Sequence, residues 1–151
     1  MITTVNISKA VERNIDELVD MALKLWPDNS RDDLKGYFIY VLGHLKNQVY
    51  LAEYDNKYVG FIHVAIRENC VEGSSAIKVG YIEGIYIEPD YRNKGIEEEL
   101  YKEGVDWVRS KGYSQIGTDI GFNNEIAYNF YKDMGFKEVN KLIYFIKDVT
   151  K

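Results

Sequence analysis

Cysteine, histidine and proline are scarce in this chain of 151 residues. Its one cysteine, Cys70, excludes an internal disulfide and fits a reducing compartment. His44 and His63 stand far apart, so no metal-ligand cluster is visible and no metal is expected. The two prolines, Pro27 and Pro89, read as stops for the elements before them. No apolar run is long enough to cross a bilayer, which argues against a membrane partner. Met1-Ile2-Thr3-Thr4 lacks a basic segment followed by a long apolar one. No signal peptide is read there, and the cytoplasm is the expected compartment. Basic charge is short as well: 19 Lys and Arg face 24 Asp and Glu, a formal net charge of −5. That balance disfavours nonspecific nucleic-acid binding and leans toward a cationic substrate, although ordinary solubility accounts for it equally well.

Apolar residues make up 46% of the chain and aromatics 14%, enough for a packed core rather than disorder. No repeat, linker or low-complexity tract interrupts it, so residues 1–151 read as one domain. Ile2 to Ile7 alternates as a first strand. Val11, Ile15, Leu18, Val19, Ala22, Leu23 and Trp26 recur at helical spacing as far as Pro27. Ser30, three residues before Asp33, opens a second helix running to about Leu45. Val49–Tyr54 and Tyr58–Arg67 read as a hairpin about Asp55-Asn56-Lys57. A polar loop, Glu68 to Lys78, leads into a long strand, Val79–Ile87. A helix from Glu98 to Lys111 follows, then a strand from Ser114 to Ile120. Asn123 or Asn124 caps a short helix through Met134, and Phe136–Val139 with Leu142–Asp148 suggest a closing hairpin. The expectation is an α+β fold: a mixed sheet of about six to seven strands flanked by about four helices.

The most telling segment is Tyr91-Arg92-Asn93-Lys94-Gly95-Ile96-Glu97, between the long strand and the helix after it. A basic, glycine-containing turn that opens a helix is suited to an anion, because the first helical N–H groups lack intrahelical partners and the dipole favours negative charge. A phosphate-bearing ligand is implied. Glu97 runs against it, placing a carboxylate where an anion should dock.

The order of elements, Gly84-Ile85-Tyr86-Ile87-Glu88-Pro89-Asp90-Tyr91-Arg92-Asn93-Lys94-Gly95, and Asn124 to Phe136 together resemble the GCN5-related N-acetyltransferase superfamily over essentially the whole chain. Leu25-Trp26-Pro27, Ile82-Glu83-Gly84-Ile85-Tyr86, Thr118-Asp119 and Ile143-Tyr144-Phe145 most resemble the short aminoglycoside 6′-N-acetyltransferases, enzymes of antibiotic resistance. The resemblance implies acetyl-CoA as co-substrate, no metal, a cationic small-molecule amine as acceptor, and a homodimer.

It also implies roles. Backbone N–H groups from Arg92 through Asn93, Lys94, Gly95, Ile96 and Glu97 would hold the pyrophosphate, with the Arg92 and Lys94 side chains adding positive charge. The exposed edge of the fourth strand, at Ile85, Tyr86 and Ile87, would pair with the pantetheine arm and supply an N–H to the developing oxyanion. Asn124 would contact the cofactor, and Tyr131 would give a proton to the departing thiolate. Glu83 and Asp119 match acids that hold the acceptor, and either is suited to take its proton. An acid in so apolar a strand as that of Glu83 wants a partner or a cleft; an exposed strand position is its ordinary alternative. Trp26 would line the acceptor site, or else serve as the last core position of its helix. Tyr131 has a plain aromatic reading, Asp119 a turn reading and His63 a structural one.

Two positions depart from the pattern. Where an aromatic and an acid are expected in the acceptor site, the chain has Cys70 and Asn140. Cys70 has no Cys-His partner in sequence and is not read as a nucleophile. Two further readings stand beside the leading one. The acceptor is another amine, such as a polyamine, a metabolite or a protein N-terminus; or, given Glu97 in place of the usual Gly or Ala, the chain binds acyl-CoA without catalysis.

Overall fold

The structure, a computed structural model, describes residues 4–68, 71, 73–75 and 78–150. Strand β1 (Asn6–Lys9) and a single 3-10 turn (Glu12–Asn14) lead into α1 (Ile15–Leu25) and α2 (Arg31–Leu42). The α1 side chains Leu18, Val19 and Ala22 are fully or almost fully buried, as their spacing requires. Ser30 caps α2, its Oγ accepting from the Asp33 N–H at 3.0 Å. Strands β2 (Asn47–Tyr54) and β3 (Lys57–Glu68) form a hairpin whose turn residues, Asp55 and Asn56, sit at φ 54° and 62°. Those left-handed angles are the ones a tight hairpin turn demands, and Asp and Asn tolerate them.

Strand β4 (Lys78–Ile87), a 3-10 turn (Pro89–Tyr91) and α3 (Ile96–Ser110) follow, then β5 (Ile116–Thr118) and α4 (Glu125–Asp133). The sheet order is β1-β2-β3-β4-β5; the first four strands pair antiparallel, and β5 lies parallel to β4. Period two turns Phe61 toward the α1–α2 layer and Ile62 toward the α3 layer, and both are fully buried. That is why β3 reads as a continuous apolar run: it is covered on both faces. Each such side chain contributes about 2–3 kcal/mol of burial.

The α+β class and four α-helices are as expected, while the sheet has five strands among the described residues rather than six or seven. Strand β1 begins at Asn6, later than read, and Ile2 and Thr3 lie outside the described residues. The first helix begins at Ile15 because Val11–Asn14 is spent on the 3-10 turn. Helix α3 starts at Ile96, two residues before the expected position, because Gly95 at φ 83° turns the chain directly into it. The closing hairpin does not form: residues 134–150 hold no helix or strand. Ile143, Tyr144, Phe145 and Ile146 are 73%, 85%, 93% and 98% exposed. Apolar side chains on both faces suit a strand covered on both sides, but these residues join no sheet. No helix is long and apolar enough to cross a membrane, and no group of His, Cys, Asp and Glu among the described residues could hold a metal.

Candidate active site

Strands β4 and β5 pair only from Gly80–Ile82 to Ile116–Thr118 and then part. Beyond Ile82, that side of β4 has no strand neighbour among the described residues. The Glu88 N–H donates to Val59 on β3, so alternation turns the peptide groups of Ile85 and Ile87 to the open edge and that of Tyr86 inward. The Ile87 carbonyl there accepts from Arg92 Nε at 2.9 Å. Arg92 thus ties the basic turn to the end of β4, its guanidinium 5.7 Å from the Tyr86 ring centroid.

In the turn itself, Asn93 at φ 62° and Gly95 at φ 83° make two left-handed bends in three residues. They leave the first N–H groups of α3 without intrahelical partners, while the Gly95 carbonyl already accepts from Glu99 at 3.1 Å. Lys94 is exposed beside them. Glu97 lies half-buried in the first turn of α3. Burial, then the charge of Glu98, push its carboxyl above the usual range, with Arg92 opposing.

The two acids flank the gap: Glu83 lies on β4 itself, two residues before the open edge, and Asp119 follows β5. In the β3–β4 register His63 faces Gly84 and Val64 faces Ile82, so Glu83 is the extra residue of a β-bulge. A bulge re-aims its side chain, and here Arg67 on β3 receives it: Nε to Oε2 at 2.9 Å and Nη2 to Oε1 at 2.6 Å. The Arg67 guanidinium carbon stands 3.6 Å above the Tyr81 ring, and the Tyr81 hydroxyl donates to Asp119. Burial first, then that bond to Asp119, push the Tyr81 phenol well above its ordinary pKa. Glu83 and Asp119 are therefore joined through Arg67 and Tyr81. Trp26 packs on the bulge: a Cβ at Gly84 would fall 2.5 Å from Trp26 Cζ2, so that position takes no side chain without a shift.

Asn124 caps α4, its Oδ1 accepting from the Ala127 N–H at 3.1 Å, which leaves its amide N–H free to donate. Tyr131 on α4 is buried, with the Phe130 and Phe136 rings edge-on to it at 5.2 Å and 5.1 Å. Burial pushes its phenol up to about 12; Thr118 pulls the other way, and Glu97 and Asp119 add to the rise. Tyr131 thus feels residues from both sides of the gap. Cys70 lies outside the described residues, and Asn140 is exposed, its Oδ1 accepting from the Lys141 N–H at 2.8 Å.

Residues 12–136 match the acetyltransferase (GNAT) family model. The chain belongs to that family. It is 26% identical over 144 residues to an aminoglycoside N(6′)-acetyltransferase type 1 of Acinetobacter haemolyticus, covering 95% of this chain and 99% of the relative. A crystal structure of an aminoglycoside 6′-N-acetyltransferase from the same organism superposes with a TM-score of 0.88 at 26% identity, over 96% and 99% of the two chains. A 6′-acetyltransferase solved with the bisubstrate analogue CoA-S-monomethyl-acetylneamine shares the fold, with TM-score 0.90, 23% identity and coverage of 96% and 99%.

For this GNAT chain, sequence reasoning singled out the turn, the β4 edge, Glu83 and Asp119, and the structure joins the two acids through Arg67 and Tyr81. Arg67, Tyr81 and Tyr37 were not singled out. Arg67 sits at the end of an apolar strand, and the one signal for it is a lone basic residue closing such a run. Tyr37 donates to His63 Nδ1, whose Nε2 donates to Asn47 Oδ1 at 2.8 Å. That network holds His63 as a buried structural residue beneath the acid cluster.

Proposed function

We propose that this GNAT domain, spanning residues 1–151, transfers the acetyl group of acetyl-CoA to a primary amine of a cationic small molecule, the 6′ amine of an aminoglycoside. One observation carries the reading: β4 parts from β5 after Ile82, and along that one strand a bulge-presented carboxylate, an unpaired edge and a helix-start anion turn follow one another. Relatives named as aminoglycoside N(6′)-acetyltransferases match nearly their whole length and support the acceptor class.

The residues present fit the co-substrate. The free N–H groups of Ile96, Glu97 and Glu98 with Lys94 would hold its phosphates, and the open edge at Ile85 and Ile87 would pair with its peptide-like arm. Asn124 would add its amide N–H. Glu97 alone works against the anion. Acetyl-CoA supplies an activated thioester that an amine can attack directly. A strand N–H near Ile85 would stabilise the charge that develops on the thioester oxygen. Glu83 would bind the acceptor ammonium and take its proton, directly or through water, with Asp119 as the second acid and Trp26 as the wall. The Tyr131 phenol, kept protonated by burial, would hydrogen-bond the departing sulfur. The cytoplasm, where acetyl-CoA is available, is the compartment this reading needs. What supports a homodimer is the exposed apolar run from Leu142 to Ile146, too extensive for a surface facing water.

A panel assay of CoA thiol release tests this. Turnover is expected with aminoglycosides bearing a 6′ amine and not with their 6′-hydroxyl counterparts. Acetyl-CoA binding without thiol release, across aminoglycosides, polyamines and peptides, would favour the non-catalytic reading instead.

A further inference from the structure

The acid cluster already contains a cation. Arg67 engages both carboxylate oxygens of Glu83 through a two-point fork, at 2.9 Å and 2.6 Å. Its guanidinium is stacked 3.6 Å above Tyr81, the residue that occupies Asp119. Both oxygens of Glu83 and one oxygen of Asp119 are therefore engaged before an ammonium arrives. The pair forms part of the wall of an open cleft of ≈ 740 Å³ with Tyr40, His44, Asn47 and a second cation, Lys46; Asp119 and the β4 edge beyond Glu83 lie outside that wall. The Arg67 side chain is 44% exposed against 21% for Glu83. The guanidinium is thus the more exposed partner, on the solvent side of the pair, and the carboxylate belongs to the bulge.

Resting on the proposed function, we propose that Arg67 determines acceptor specificity, as a resident cation that the acceptor ammonium must displace from Glu83. An ammonium presents a point charge and cannot reproduce the planar fork, so the exchange costs every cationic acceptor some affinity. Once displaced, Arg67 stays near the cleft and repels the acceptor. The cost grows with the acceptor's total charge, so the resident arginine biases the site toward acceptors with few amines. Arg67 is a positioning residue: it touches Glu83, and Glu83 touches the acceptor.

Steady-state kinetics with a diamine-bearing and a tetra-amine-bearing aminoglycoside separate this from a structural role. In Arg67→Gln the acceptor KM should fall about two- to fivefold, the range expected for losing a partly exposed, bidentate ion pair. The gain should be larger for the tetra-amine, with kcat and the KM for acetyl-CoA nearly unchanged. Arg67→Lys, which keeps the charge and loses the fork, should lie between. An unchanged or raised acceptor KM in Arg67→Gln, with wild type active, would overturn the proposal and leave the enzyme reading intact. If neither protein turns over any amine, the enzyme reading fails. Calorimetry with spermidine then decides on Arg67 alone: tighter binding to Arg67→Gln supports the resident cation, and equal or weaker binding refutes it.

Discussion

At the scale of single residues, the buried imidazole of His63 makes the sharpest physical demand. Asn47 Oδ1 accepts from Nε2 and the Tyr37 hydroxyl donates to Nδ1, so the ring is satisfied only when neutral. Burial, helped by the charge of Arg67, lowers its pKa from 6.5 to about 4. Between those values the unfolded chain binds a proton that the folded chain refuses. Stability therefore rises with pH through that window and levels off above it. Urea unfolding should give a stability about 2 kcal/mol lower at pH 5 than at pH 7. His63→Gln should lose most of that difference; an equal drop in the variant would assign it to other groups. His63 was legible as structural from its strand position, but its partners were not, since Tyr37 and Asn47 come from separate elements.

At the scale of elements, the junction of β4 and α3 organises the site. Its basic turn could be read from sequence because helix-opening chemistry is local: a glycine, two cations and the run that follows are contiguous. The bulge at Glu83 was not legible, since it exists only in the register between β3 and β4. The meaning of Arg67 was hidden for the same reason: cross-strand pairing decides it, not spacing along the chain. Glu97 is where local and global demands oppose each other. Its carboxylate suits a helix start electrostatically but stands half-buried where phosphates would dock. Glu97→Gln removes the charge and keeps the shape. Calorimetry should show acetyl-CoA binding about three- to tenfold tighter in the variant, with the gain shrinking at high salt. Equal affinities would mean that the side chain points away from the cofactor.

At the scale of the whole molecule, residues 142–146 have the composition of a strand, yet they form none. A one-dimensional reading carries no information on whether a neighbouring strand is there to pair with them. Light scattering should give twice the chain mass for the wild type and the single-chain mass for an Ile143→Asp, Phe145→Asp double variant. A wild type that stays monomeric at micromolar concentration would remove the dimer from the account.

The central claim is that the bulge presents Glu83 to an acceptor amine beside a cofactor held by the β4 edge and the α3 turn. Steady-state acetyl transfer by Glu83→Gln, with acetyl-CoA affinity measured on the same protein, tests it most directly. Loss of a base that also binds the acceptor should lower kcat/KM for the amine about 10²- to 10³-fold while acetyl-CoA affinity stays within about twofold. Wild-type turnover in Glu83→Gln would contradict the account, and the acceptor would have to bind elsewhere.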